Sequence, residues 1–178
     1  FMKKSLILFL TPLIALPLLA STASEKPNII FIFSDDMGYG DLGYTGSSQI
    51  KTPNLDKLAK DGIIFPQAYV TASVCGPSRA GVLTGRYQQR FGFETNPRGG
   101  PHLRPEAIGL PDRELTLGNR MQEAGYHTAA IGKWHMGLDD SRRPGFDSWI
   151  SFKGQGIYID GVVNDNGTRK QMRGNMTD

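Results

Sequence analysis

Three sets of residues have the types and spacing to do chemistry: the pair Asp35-Asp36, the pair Lys133 and His135, and Cys75 with Arg79. Two adjacent carboxylates offer the oxygen ligands that a hard divalent cation takes, and they serve equally well as solvated loop acids or a helix cap. A Lys-x-His pair can bind an anion or supply a proton; a satisfied structural pair is the plainer alternative. A cysteine at a helix start meets unpaired N–H groups and the positive end of the dipole. Both lower its pKa and favour a nucleophile, against the alternative of a buried small hydrophobe. Arg79 follows Cys75 by one helical turn, so it can reach back and stabilise an alkoxide or an anionic adduct there. Cation ligands, anion binders and a nucleophile together suit hydrolysis of an anionic ester.

Elements must bring these groups together. Residues 28–34, "NIIFIFS", form a short apolar, β-rich run that predicts a buried strand ending at Asp35-Asp36. Open α/β sheets place ligands at such carboxyl ends. Thr52, Pro53 and Gly62 bracket a predicted helix over 53–61, with Leu55, Leu58 and Ala59 on one face. "IIFPQAYV", 63–70, predicts a second strand, weakened by Pro66. Pro77 and Gly85 bracket a helix over 77–84, with Cys75 at or just before its start. The Gly- and Pro-rich stretch 92–114 predicts a long surface loop, a length that usually signals function. Thr116 caps a helix over 117–124 that Gly125 ends, and a strand over 126–131 delivers Lys133 and His135. Beyond it, only "SWISF" and "GIYIDGVV" read as strands, and "KQMRGNMTD" leads towards a helix. The alternation of strands and helices predicts an α/β fold with a largely parallel sheet.

The N-terminus sets the compartment. Lys3 and Lys4 precede an uncharged apolar run over 5–20, and small residues follow at 21–23. This is the pattern of a secretory signal over residues 1–23, leaving 24–178 as the mature part and no stable membrane anchor. The protein is therefore expected to be exported, periplasmic or extracellular. Two of the 20 basic residues fall in that leader, so the formal charge of +3 nearly vanishes in the mature chain. No Lys/Arg run points to nucleic acid. The single cysteine has no intramolecular disulfide partner, which in an oxidising compartment leaves it buried, reactive or modified.

"CGPSR" with "LTGR" after it resembles the Cys-x-Pro-Ser-Arg signature of the type I sulfatases, and "GKWHMG" is similar to their second signature. "NIIFIFSDDMGYGDLGYTG" and "TPNLDKLAKDGIIF" look like the family's first strand and helix, so the similarity runs from about Lys26 to about Phe152. The resemblance implies an alkaline-phosphatase-like α/β fold, a mostly parallel sheet flanked by helices. It implies that a formylglycine-generating maturation enzyme, reading the motif, oxidises Cys75 to Cα-formylglycine. One hydroxyl of the hydrated aldehyde then attacks the sulfur of a sulfate ester, and the second later expels sulfate. By the same resemblance Asp35, Asp36 and modified Cys75 bind Ca2+, Arg79 holds the hydrate, Lys133 binds the sulfate group, and His135 bonds the diol or the sulfate. Pro77 and Ser78 serve first for maturation, and Gly85 and Arg86 are structural.

Family members are usually much longer. Further metal ligands and sulfate-binding residues are not identifiable here, and "NDNG", 164–167, lies too early to supply them. The chain is thus expected to be an N-terminal portion of the catalytic domain, poorly stable, weak in calcium binding and nearly inactive by itself. The substrate is expected to be a sulfated small molecule or glycan. Two other readings stay open: a formylglycine-dependent phosphonate or phosphate ester hydrolase, and a non-catalytic binder of sulfated glycans. His102 falls in the loop, and His127 is expected to pack at a strand start.

Overall fold

The structure, a computed structural model, describes residues 26–98 and 108–175; the leader expectation and residues 99–107 of the 92–114 loop, His102 among them, lie outside them. The chain divides into two units, Phe1–Ser34 and Asp35–Asp178. In the first, residues 26–34 are without regular structure, and the rings of Phe31 and Phe33 stack 6.0 Å apart. The expected strand over 28–34 is therefore not formed. A β-rich run becomes a strand only where a neighbour completes its ladder, and among the described residues none pairs with it. The same holds for 63–70, where Pro66 also removes a donor.

The second unit opens with two 3₁₀ turns, Tyr39–Asp41 and Gly43–Thr45, and helix α1, Pro53–Asp61. Thr52 is the N-cap residue, but its hydroxyl turns away from the helix N–H groups. It accepts from Gly43 N–H and donates to Asp56 Oδ1, each at 2.8 Å, tying the turns to α1. Helix α2, Cys75–Thr84, starts two residues earlier than its proline suggests and ends at Gly85 in the left-handed region, φ +64°. Its buried residues include Pro77, Ala80 and Gly81. Helix α3, Leu117–Glu123, carries a reciprocal capping box between Thr116 and Asn119, and Gly125 follows at φ +81°.

Four strands form one sheet in the order β1-β2-β3-β4: β1, Ala129–Ile131; β2, Ser148–Ser151; β3, Val162–Asp165; β4, Thr168–Gln171. β1 and β2 are parallel, and the other two pairings are antiparallel. The α/β class stands, and the sheet among the described residues is mixed rather than mostly parallel. β1 is shorter than the predicted 126–131 because Thr128 leaves the ladder. Its N–H goes to Asp147 Oδ2 at 2.8 Å and its hydroxyl to the Gly145 carbonyl at 2.8 Å.

The chain turns from β3 to β4 at Asn166 and Gly167, both at positive φ, +50° and +95°. Asn-Gly is the preferred pair for such a turn, so "NDNG" is a hairpin tip. Asn164 Oδ1 accepts from Gly167 N–H at 2.7 Å, and Asn166 N–H donates to the Trp149 carbonyl at 2.8 Å. β4 holds 168–171, and Asn175 bridges Ile159; the helix into which 170–178 was expected to lead lies outside the described residues.

The core gathers Ala80 of α2, Phe91, Phe93, Trp134, Met136 and Trp149 of β2, with Leu83, Leu110, Ala130 and Phe146 against it. Phe93 is fully buried, so the 92–114 stretch is not wholly a surface loop. Trp134 meets Trp149 and Phe146 edge-on, with centroids 5.2 and 5.8 Å away. Such aromatic pairs add about 0.5–1.5 kcal/mol beyond burial and fix the segment that follows β1. Among the described residues no helix is long and apolar enough to cross a membrane.

Candidate functional site

The segment after β1 alternates. Trp134 and Met136 enter the core, while Lys133 and His135 turn towards Asp35 and α2. The core thereby sets the Lys-x-His spacing. Gly132 at φ +102° turns the chain out of the strand, and His135 itself sits at φ +53°. Asp36 shares this conformation at φ +52°, so two of the four described non-glycine residues at positive φ are site candidates. Such backbone costs of order 1–3 kcal/mol per residue and persists where its surroundings hold it.

Lys133 Nζ donates to Asp35 Oδ2 at 2.7 Å, and Arg79 donates to Asp35 Oδ1 at 3.3 Å. A second Arg79 nitrogen donates to the Lys133 carbonyl at 2.5 Å. One carboxylate thus joins residues from three distant stretches of sequence. Partial burial pushes the Asp35 pKa up, but the hydrogen bonds and charges of Lys133 and Arg79 outweigh it and hold the carboxyl below its ordinary value.

Cys75, the first residue of α2, lies beside His135, with Sγ 3.0 Å from Nδ1. His135 is buried. That burial, then the positive charges of Lys133 and Arg79, lower its pKa against the opposing pull of Asp35. The ring is therefore neutral at neutral pH, with one nitrogen to accept a proton and one to donate.

Asn96 and Gln155 also reach Cys75, and sequence reasoning missed both. The sulfur donates to Asn96 Oδ1 at 3.4 Å, and Gln155 Nε2 donates to the sulfur at 3.7 Å. Gly76 N–H donates to the same Asn96 oxygen at 2.8 Å. The length of the 92–114 loop was the one signal for Asn96; for Gln155, 80 residues from Cys75, there was none.

The predicted site residues thus meet in two linked groups: Asp35, Arg79 and Lys133 in one, Cys75 and His135 in the other. Asp36 is exposed next to the first. As to metal, carboxylates of the right chemical kind are present, and each Asp35 oxygen keeps a lone pair beyond its hydrogen bond. Among the described residues, however, no three of His, Cys, Asp and Glu gather into a metal-holding group. Asp35, Asp36 and Cys75 therefore do not form a closed set.

Arg86 and Gly85 are structural: Arg86 pairs with buried Glu114 and lies over the Phe91 ring at 5.8 Å. His127 is exposed, 3.0 Å from Ser148 Oγ, and does not pack as expected.

The family model described as Sulfatase matches residues 27–171, which include every residue of this site. The chain belongs to the sulfatase family. Among curated relatives, N-acetylgalactosamine-6-sulfatase of Rattus norvegicus is 43% identical over 149 residues, 80% of this chain and 28% of that protein. Arylsulfatase G of Homo sapiens is 43% identical over 138 residues, 78% of this chain and 25% of that protein. This sulfatase chain therefore spans about a quarter of the length of the curated relatives it matches. Two solved structures share its fold. That of Ps i-CgsB superposes with a TM-score of 0.76 at 35% identity, covering 86% of this chain and 39% of that one. That of BT4656, in complex with its substrate D-glucosamine-2-N,6-O-disulfate, superposes with a TM-score of 0.74 at 36% identity, covering 86% and 29%.

Proposed function

We propose that this sulfatase-family chain belongs to an exported hydrolase of sulfate esters, with carbohydrate sulfates as the substrate class and Cys75 as the site of its formylglycine. The observation that carries the reading is the Cys75–His135 contact at 3.0 Å beside the Asp35–Lys133–Arg79 cluster, in a family-matched segment. The sugar disulfate is the substrate of a structural neighbour, and this supports the carbohydrate class.

Formylglycine supplies an aldehyde whose hydrate offers a hydroxyl nucleophile and a second hydroxyl to release the product, splitting one hard step into two easier ones. The chain's own residues do the rest. Lys133 binds a sulfate oxygen as a point charge, and Arg79 holds the oxygen at position 75. Neutral His135 takes a proton at Nδ1 from the hydroxyl it faces, or returns one there. Asp35 keeps Lys133 and Arg79 extended towards the reacting atoms, and Asp35, Asp36 and the group at position 75 would be the ligands that this chain offers a calcium ion. That shell is completed elsewhere in the whole protein. Residues 1–23 direct export and are removed, and 24–178 form the N-terminal portion of the catalytic domain.

The test uses the full-length protein made alongside a formylglycine-generating enzyme. Its rates are compared on an aryl sulfate, a sulfated monosaccharide and an aryl phosphonate. Sulfate release that dominates supports the reading. Preference for the phosphonate shifts the assignment to that ester class, and binding without turnover leaves a sulfated-glycan binder.

A further inference from the structure

We propose that Asn96 is a positioning residue that holds one of the two hydroxyls at position 75 and so decides which one faces His135. The inference rests on the formylglycine reading above.

The amide orientation is fixed by its neighbours. Gly76 N–H donates to the Asn96 side chain at 2.8 Å, and a backbone N–H only donates, so the atom facing it is the carbonyl oxygen. That oxygen also lies 3.4 Å from Cys75 Sγ. A carbonyl oxygen accepts and never donates, so the group that ends side chain 75 must bring a hydrogen: a thiol S–H or a hydroxyl. On another side of the same sulfur stands His135 Nδ1 at 3.0 Å. When water adds across the aldehyde, its oxygen bonds to carbon, the C=O π pair takes the second proton, and two hydroxyls result. In this surrounding they are not equivalent. One donates to Asn96 and is held, and the other is left to His135.

The backbone supports the arrangement. Val74, at the N-cap of α2, makes no side-chain cap, so Asn96 caps the helix from 20 residues away. Gly76 makes the approach possible: a Cβ there would lie 3.0 Å from Asn96 Oδ1 and 2.9 Å from the His135 carbonyl oxygen. Phe93, fully buried three residues earlier, anchors the stretch that carries Asn96. This gives the 92–114 segment a role that the signature residues leave unassigned.

The test uses the full-length protein, co-produced with the maturation enzyme, as wild type, Asn96→Ala, Asn96→Leu and Asn96→Asp. Peptide mass reports conversion at position 75, and an aminooxy probe reports the free aldehyde, which it captures as an oxime with loss of water. Conversion is expected to be equal in all four. Asn96→Ala and the bulkier Asn96→Leu lose the acceptor, so less hydrate forms and the probe reacts roughly fivefold faster, as befits one lost hydrogen bond. Asn96→Asp keeps the oxygen and labels at the wild-type rate. With an aryl sulfate, kcat of the Ala variant falls about tenfold while KM holds. Equal labelling in all four, or Asp labelling as fast as Ala, overturns the role of Asn96 alone. An unconverted thiol in the wild type overturns the formylglycine reading and this inference with it.

Discussion

Lys133 and His135 owe their positions to the residue between them. Trp134 is buried against Trp149 and Phe146, and the chain therefore presents its two neighbours to α2 and Asp35. His135 then sits 3.0 Å from Cys75, held neutral by burial and by nearby cations. In the proposed reaction a neutral ring can accept a proton from the hydroxyl at position 75, whereas a charged one has no acceptor to offer. His135→Ala in the matured full-length protein is expected to lower kcat by about 10²–10⁴-fold, with a smaller change in KM. Steady-state kinetics on an aryl sulfate checks this, and a change confined to KM would count against His135 as the proton-transfer group. The signature residues were legible in the sequence because type and spacing carry them. Asn96 and Gln155 were not, because each reaches Cys75 through the fold, from loops with no pattern.

At the scale of elements, Asp147 joins the start of β1 to α3. Its Oδ2 accepts from Thr128 N–H at 2.8 Å and from the Thr128 hydroxyl at 3.0 Å, and its Oδ1 accepts from Gln122 Nε2 at 2.7 Å. The Thr128 backbone bond leads in lowering its pKa from the ordinary 3.8. A folded-state pKa below the unfolded one means that the unfolded chain binds the proton more readily. The stabilisation is then complete above about pH 4 and is lost as pH falls through the folded value. Asp147→Asn is expected to be less stable than wild type at neutral pH, with the gap narrowing in acid. Denaturant melts of the full-length protein at pH 7 and pH 3 check this, and a constant gap would contradict it. Helices α1, α2 and α3 were legible from their caps and stops, which are local. The runs 28–34 and 63–70 were not, since a strand depends on partners that no local pattern supplies. β4 was not legible as a strand because its four residues are polar and exposed, although Asn166-Gly167 is a hairpin signal.

For the whole molecule, the apolar surface is the leading fact. Ile30, Ile32, Ile63, Phe65 and Tyr69 are each more than 70% exposed. Isolated exposed apolar residues are ordinary, but clustered runs such as 29–32 and 63–65 mark surface that needs a cover. The 178-residue chain by itself is expected to bind a hydrophobic dye and to elute larger than a monomer. A dye-free monomer with a sharp unfolding transition would contradict that. The chain spans about a quarter of its curated relatives' length, and among the described residues no three of His, Cys, Asp and Glu gather into a metal-holding group.

The hydrolase assignment depends on what stands at position 75. The most direct measurement is the mass of the peptide containing Cys75, from full-length protein made alongside a formylglycine-generating enzyme. An aldehyde in place of the thiol is the predicted result, and it would make the Cys75–His135 contact a catalytic one. A thiol that persists although the maturation enzyme is active would remove the nucleophile, contradict the hydrolase assignment and leave a binder of sulfated glycans.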